Sequence, residues 1–481
     1  MLICFFASRL VFFLTETQKQ ISMPPNQGLI NIESLENLAP LQPHLDNDGS
    51  GKIRCAILGC GMMGQEHISY ISGYDNLRID FLCDPHQPSL DKSVQVLRDF
   101  HQNDKGNGND SKESVATIPE LLSKEEDLLE KVDEIDLLVI ASPNYLHTAS
   151  LLQWTRYDIT ILVEKPVAVS KEQHDKLQAL SREPDCCARI WVAMEYRYIP
   201  AISKLLSLLP SIGDLKMVTI RENRYPFLHK IGAWNRDCQK TGDTLVEKCC
   251  HFFDLFRLIT GKEVKQEDIR ALAQRGLNYR HEKEEEGFGM KEMNYEARRR
   301  PIIDAAYVIL PFHDSHDNDV GDDFKEEKVV DGESSVPSSP TIGCLELCMY
   351  AEGSRHQEEI IVTGTKGRLE AYLPENKVFY FKRPDLDEWN DRSVPPPKEC
   401  VHQEVFDCSD VKSIHGITAS MPTHGGYHYC STAVEWYHLI QCMKEYKNGG
   451  VWSPHVSLLD GLRAVEAGLN ATLAIVNEKN V

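Results

Sequence analysis

The chain has 481 residues, with 52 Lys and Arg against 73 Asp and Glu, a formal net charge of -21 and 42% hydrophobic residues. That length suits two or three domains with a large core. The acidic balance excludes a general nucleic-acid binder, the composition excludes a disordered or collagen-like chain, and no apolar run is long enough for a membrane-spanning helix.

Residues 1–52 read as a disordered lead-in. Its first 14 residues (MLICFFASRLVFFL) are apolar, but no Lys or Arg precedes them, Arg9 interrupts them, and a polar, Pro-containing stretch follows. Met23 offers an alternative start. From 53 the texture changes. Residues 53–58 (IRCAIL) predict a strand, 63–71 a helix, 77–84 a second strand, 89–100 a helix, and 101–114 a Gly/Asn-rich loop. A helix is expected to start over 117–122. Residues 136–143 (DLLVIASP) form a nearly continuous apolar run, the mark of a strand buried on both faces. A helix over 145–157, a strand over 159–164, a helix over 170–181 and a strand over 189–194 follow. This alternation predicts a doubly wound parallel sheet, a Rossmann domain over 53–196.

After Pro200 the pattern changes. A helix (201–209), a strand (214–221) and one continuous helix over 244–259 precede several strands with no helices between them. Such strands should pair largely antiparallel, giving an α+β domain with a large, open sheet over 197–481. Residues 313–340 read as an acidic, Ser/Pro-rich insertion. His313 and His316 within it read as solvated and not as metal ligands; no metal site is expected. Helices over 430–446 and 457–477 close the chain. The fifteen cysteines include two adjacent pairs, 186–187 and 249–250, and no repeated CxxC, a pattern of buried reduced thiols in a cytoplasmic protein. A targeting segment at the N-terminus is the lesser alternative.

Gly59-Cys60-Gly61-Met62-Met63-Gly64 is a GxGxxG between a predicted strand and helix, where glycines admit a pyrophosphate and a helix N-terminus offers N–H groups to it. Asp84, at the end of the second strand, suits the ribose hydroxyls of an adenosine and would repel a 2′-phosphate; no Arg follows it. NAD is therefore expected over NADP. Lys165 falls at the carboxyl end of a parallel strand, where open α/β sheets place their ligands. Glu247 and His251 are four residues apart, which puts them on one face of the expected helix. A Lys, a carboxylate and a His beside a nicotinamide suit alcohol oxidation, in which one group takes the hydroxyl proton.

The segments IDLLVIASPNYLH (135–147), ILVEKPVAVS (161–170), WNRD (234–237), EKCCHFFDL (247–255) and DGLRAVEAG (460–468) resemble those of the glucose–fructose oxidoreductase / inositol dehydrogenase (Gfo/Idh/MocA) family, in colinear order. The resemblance implies that Lys165 polarises the reacting oxygen and that His251 is the acid/base. The family's usual carboxylate one turn before that His is Asp; Glu247 fills its place and reaches one methylene further. It also implies dinucleotide contacts from Ser142, Pro143, Asn144 and His147 after the fourth strand, and from Glu164 and Lys165 after the fifth. For His147, a role in holding the following helix is the equal alternative. Arg197, Tyr198, Trp234, Asn235, Arg236, Tyr427 and His428 are candidate pocket residues, while Lys248 and Asp254 read as structural.

The expected activity is NAD-dependent oxidation of a secondary alcohol in a sugar or cyclic polyol. The alternatives are a sugar-cleaving or sugar-transforming enzyme with tightly bound NAD, and a non-catalytic NAD-sensing regulator. The resemblance implies a homodimer or homotetramer. Of the net charge, -15 falls in 1–52, 101–134 and 313–340, so little acidity belongs to the expected site.

Overall fold

The computed structural model describes residues 51–105, 118–182, 188–228, 230–275, 300–313, 340–385, 389–391, 393–396, 398, 402–417 and 429–478. Most of the 101–114 loop, nearly all of the 313–340 insertion, the lead-in before 51, and Tyr427 and His428 lie outside the described residues.

The first sheet has six parallel strands: β1 (Ile53–Leu58), β2 (Leu77–Cys83), β3 (Glu120–Leu122), β4 (Leu137–Ile140), β5 (Thr160–Glu164) and β6 (Arg189–Ala193). Their order is β3-β2-β1-β4-β5-β6, so the winding reverses between β1 and β4, which opens a crevice at the carboxyl ends there. The helices are α1 (Met62–Ile71), α2 (Gln87–Lys105), α3 (Glu125–Leu129), α4 (Asn144–Trp154) and α5 (Lys171–Leu180). Every residue of β4 and β5 is buried, as apolar strands covered on both faces require. The helix expected over 117–122 is instead an edge strand, β3, paired in parallel with β2. Pro119 immediately precedes it, and three residues hardly carry a helix-versus-strand signature.

The second domain begins with α6 (Pro200–Leu208) and β7 (Leu215–Asn223), then α7 (Cys238–Thr241), α8 (Thr244–Glu247) and α9 (Cys250–Thr260). Its strands continue with β8 (Arg270–Arg275), β9 (Ile303–Phe312), β10 (Thr341–Cys348), β11 (Glu358–Gly364), β12 (Gly367–Leu373), β13 (Lys377–Lys382) and β14 (His402–Asp407). The eight form one sheet in the order β14-β13-β12-β11-β7-β10-β9-β8. All pairs are antiparallel except β7 with β10, which run parallel. After β7 the chain leaves through α7–α9 and re-enters at the far edge, so β10 meets β7 in the same direction. Buried and more exposed residues alternate along β10 and β12, so one face covers the core and the other lies open.

The helix expected over 244–259 is broken. Lys248 and Cys249 both donate to Thr244 O, a widening of the turn that separates α8 from α9. The last helices, α11 (Ser431–Lys447) after the short α10 (Val411–His415), and α12 (Leu458–Glu478), return to the nucleotide domain. From α11, Val434, Trp436 and Leu439 join the core formed by β1, β4 and α1. From α12, Leu462 and Val465 pack in the core with Val192 of β6.

Candidate active site

The glycine turn follows β1. Gly59 has a φ of 98°, and a Cβ there would meet Ser142 N at 2.4 Å; one on Gly64 would meet Gly59 O at 2.0 Å. These two positions need glycine because backbone closes on them. A Cβ on Gly61 would meet nothing within 4 Å. Gly61 caps α1 without a side-chain hydrogen bond, and the first turn of α1 carries no acidic residue. The space before α1 therefore has free N–H groups and positive potential for a pyrophosphate. Met62 is exposed and Met63 half-buried beside it. Asp84 accepts from Cys60 N and from His86 N, both at 2.8 Å, which sets its carboxylate against the turn. Ser142 Oγ is buried with no hydrogen-bond partner among the described residues. An open cradle, an uncapped helix, a carboxylate and an orphan hydroxyl fit a dinucleotide.

Asn144 opens α4 after Pro143, and its amide Nδ2 donates to Glu247 Oε2. His147 has no exposed surface, and its Nδ1 and Nε2 lie 2.9 Å from Pro166 O and 2.8 Å from Ser142 O. It clamps the turn after β4 to the cis Lys165–Pro166 turn. Burial lowers its pKa. Both ring nitrogens meet backbone carbonyls, which matches the structural role, the equal alternative for His147.

Lys165 leaves the end of β5 and its Nζ donates to Glu247 O at 3.1 Å. Burial opposes its charge, but the carboxylates of Glu247, Glu195 and Glu164 outweigh it and raise its pKa. The Glu247 carboxylate has Lys230 Nζ 3.7 Å from its second oxygen. Glu247 and Asn144 thus answer where the longer carboxylate goes: it reaches across to α4. His251 does not share a regular helix face with Glu247, because the break at Lys248–Cys249 lies between them. Its Nε2 is 3.4 Å from Glu195 Oε1 and its ring stacks on Tyr196 at 4.4 Å, leaving it 2% exposed.

Glu164 points inward. His67 Nε2 lies 2.9 Å from its Oε1, and Trp436 Nε1 donates to His67 Nδ1 at 3.0 Å. An indole N–H only donates, so the His67 proton sits on Nε2 and is given to Glu164. Burial pushes Glu164 up, but this hydrogen bond and the charge of Lys165 bring its pKa below the ordinary value. Glu435 of α11 accepts from Trp191 Nε1 at 3.1 Å; burial, with Glu195 and Glu164 nearby, raises its pKa well above the ordinary carboxylate value.

Lys248 turns away from the crevice into the sheet. Its Nζ is 3.3 Å from Glu222 Oε1 and 4.0 Å from Glu358 Oε1, and donates to Tyr196 OH. Glu222 and Glu358 are directly opposed across β7 and β11, at 0% and 1% exposure, and Arg224 NH1 lies 3.4 Å from Glu222 Oε1. Burial, reinforced by the Glu358 charge, pushes Glu222 up to about 7. Tyr196 OH donates to Glu358 at 2.8 Å, so the residue stacked on His251 is anchored in this pair.

Of the candidate pocket residues, Trp234 lies near the site. Arg197 is instead bound to Asp254, with Nε 2.6 Å from Oδ2, and donates to His455 O. Tyr198 is buried with its OH toward His455, and Asn235 and Arg236 are buried with bonds to Leu228 O and Phe227 O. Sequence reasoning missed His67, Glu195, Lys230 and Glu435. Glu195 follows the carboxyl end of β6, which is a signal; Lys230 sits in an irregular loop, which is none. His313 lies 3.4 Å from Asp268, and no group of three or more metal-ligating side chains occurs among the described residues.

The profile of an oxidoreductase family with an NAD-binding Rossmann fold matches residues 53–192, and that of the same family's C-terminal alpha/beta domain matches 209–316. The chain belongs to the Gfo/Idh/MocA oxidoreductase family. Glucose-6-phosphate 3-dehydrogenase of Bacillus subtilis is 22% identical over 48% of this chain and 60% of its own length. Inositol 2-dehydrogenase of Pseudarthrobacter chlorophenolicus is 26% identical over 45% and 57%. The chain spans from 35% to 60% of the length of these and other curated relatives of the Gfo/Idh/MocA family. Among solved structures, the WlbA dehydrogenase from Bordetella pertussis, in complex with NADH and UDP-GlcNAcA, superposes with a TM-score of 0.59 at 16% identity, over 89% of this chain and 97% of that one.

Proposed function

We propose that the protein is an NAD-dependent dehydrogenase that oxidises a secondary alcohol of a sugar or cyclic polyol. The observation that carries this reading is Lys165: an ammonium just past the carboxyl end of β5, held charged by carboxylates and donating to Glu247 O. Gly59, Gly61, Gly64, the N–H groups opening α1, Asp84 and Ser142 would hold the dinucleotide, which supplies the hydride acceptor when bound. Lys165 stabilises the negative charge that grows on the alcohol oxygen as its proton leaves. His251 receives that proton, and Glu195 at 3.4 Å favours the imidazolium so formed. Asn144 and Lys230 fix Glu247 across the same space. The near-complete enclosure of His251 keeps bulk water from competing for the proton.

Changing Lys165 to Ala tests this reading. NADH binding, followed by nicotinamide fluorescence, should stay near wild type, while turnover on a panel of sugars and inositols falls by about 100- to 1,000-fold. Unchanged turnover would reject the role given to Lys165.

We further read the open face of the second sheet as the surface of a homodimer or homotetramer. Met217, Leu272 and Tyr307 are 51%, 66% and 55% exposed on its strands, and light scattering of the full chain tests it. Cytoplasm is the proposed compartment, in keeping with buried free thiols such as Cys55, Cys83, Cys249 and Cys250. No helix among the described residues is long and apolar enough to cross a membrane.

A further inference from the structure

The crevice has a wall that neither the glycine cradle nor the Lys165 chemistry uses. Tyr145, the second residue of α4, and Trp234, in the turn Ile231–Arg236, meet edge to face with ring centroids 6.3 Å apart. Lys230 Nζ lies 4.6 Å from the centre of the Trp234 ring, and Lys240 Nζ 5.5 Å from that of Tyr145. All four side chains are half-buried, and they come from both domains. The wall adjoins the reacting groups, because Lys230 is 3.7 Å from Glu247 and Asn144, next to Tyr145, holds the other oxygen of Glu247.

We propose that the substrate carries an anionic group, a carboxylate or a phosphate, and that Lys230, with Lys240, receives it on the Tyr145–Trp234 wall. This deepens the dehydrogenase reading and rests on it.

Charge and desolvation both favour an anion over a neutral polyol. Lys165 and Lys230 both act on the Glu247 carboxylate, and Lys240 lies against the neighbouring Tyr145 ring. The other two carboxylates, Glu164 and Glu195, lie behind at 5% and 3% exposure, and are engaged with His67 and His251. A chain of net charge -21 thus presents cations where its substrate enters, which concentrates anions there. Burial, with the nearby charge of Lys165, holds the Lys230 ammonium below the ordinary lysine range despite Glu247. An incoming anion would relieve that repulsion and be desolvated against two fixed cations. A neutral polyol would cover the same ammonium groups without matching their charge. The flat, half-buried rings offer an apolar surface to the C–H face of a sugar ring, leaving its charged end to the lysines.

The test is calorimetric titration of the full chain loaded with NADH, using D-glucuronate, D-glucose 6-phosphate, D-glucose and myo-inositol as probes. At least one anion should bind about 30-fold tighter than both neutral probes, and its affinity should fall as NaCl rises from about 0.05 to 0.5 M. Which anion it is separates carboxylate from phosphate. Lys230→Gln should weaken that anion about 10-fold or more at unchanged NADH affinity, and Lys230→Arg should stay within about 3-fold of wild type. In turnover, Lys230→Gln should raise KM by a larger factor than it lowers kcat. Neutral probes binding as tightly as the anions, or no heat with either anion, would overturn the proposal. So would anion affinity indifferent to Lys230→Gln, or a fall in kcat at constant KM, which would instead place Lys230 in proton transfer. Anion binding that depends on Lys230 without NADH formation from any probe would sink the dehydrogenase reading and leave the anion site standing.

Discussion

Glu222 gives the most quantitative handle on the buried charge beneath the site. Its carboxyl is pushed from an ordinary 4.5 to about 7 by burial and by Glu358 opposite it. Between those pH values the folded chain keeps a proton that the unfolded chain has lost. Stability therefore falls as pH rises through this window, and is flat with respect to Glu222 above it. At 1.36 kcal/mol per unit, the descent amounts to about 3 kcal/mol. Glu222→Gln has the shape of the protonated acid and cannot ionise. Near pH 5 the variant should match the wild type within about 1 kcal/mol; at pH 8 it should be more stable by up to about 3 kcal/mol. Urea unfolding followed by tryptophan fluorescence at pH 5, 6, 7 and 8 measures the difference, in which all other titrating groups largely cancel. A gap between variant and wild type that does not change with pH would refute the reasoning, because it would mean that the buried carboxyl is ionised throughout.

Three further substitutions probe the cofactor cradle and its support. Gly61→Ala places a methyl in open space, so the melting temperature should not move, while NADH affinity drops about 10-fold or more; unchanged affinity would mean that no ligand occupies the cradle. Asp84→Ser removes the carboxylate beside the turn and should move the ratio of NADP to NAD affinity upward by about 10-fold or more, read by nicotinamide fluorescence titration, and an unaltered ratio would deny Asp84 that role. Trp436→Phe leaves His67 Nδ1 without its donor and should cost about 1–2 kcal/mol in thermal unfolding, with full stability counting against the Trp436–His67–Glu164 chain.

The nucleotide domain was legible because its signals are local. Apolar runs such as 137–140, the glycines at 59, 61 and 64, and Asp84 each report on neighbours a few residues away, and the doubly wound parallel sheet follows from the alternation of strands and helices. The second sheet was legible as a class, but β14 was missed, since its residues are mostly exposed and carry no alternation. The break between α8 and α9 was invisible because TLVEKCCHFFDL contains neither Gly nor Pro; it shows only in the shared acceptor at Thr244 and in Lys248 turned toward Glu222 and Glu358. Within the site, Lys165, Glu247 and Asn144 were legible through motifs and do meet. His67, Glu195, Glu435 and Lys230 were not, because each acquires its meaning from a partner distant in sequence, as Lys230 does from Glu247.

The link from Trp436 to His67 spans 369 residues of sequence, and α11 packs with it into the core of the first sheet through Val434 and Leu439. During synthesis the N-terminal half emerges from the ribosome long before its covering helix exists. Until then the surface around α1 and the back of Glu164 is bare of its final partner, which is an invitation to chaperones and to misassociation. A fragment ending after β6 would have the complete parallel sheet and still lack the indole that fixes the His67 proton. The nucleotide-binding half is thus finished by a helix translated long after β6, and its maturation waits for that helix.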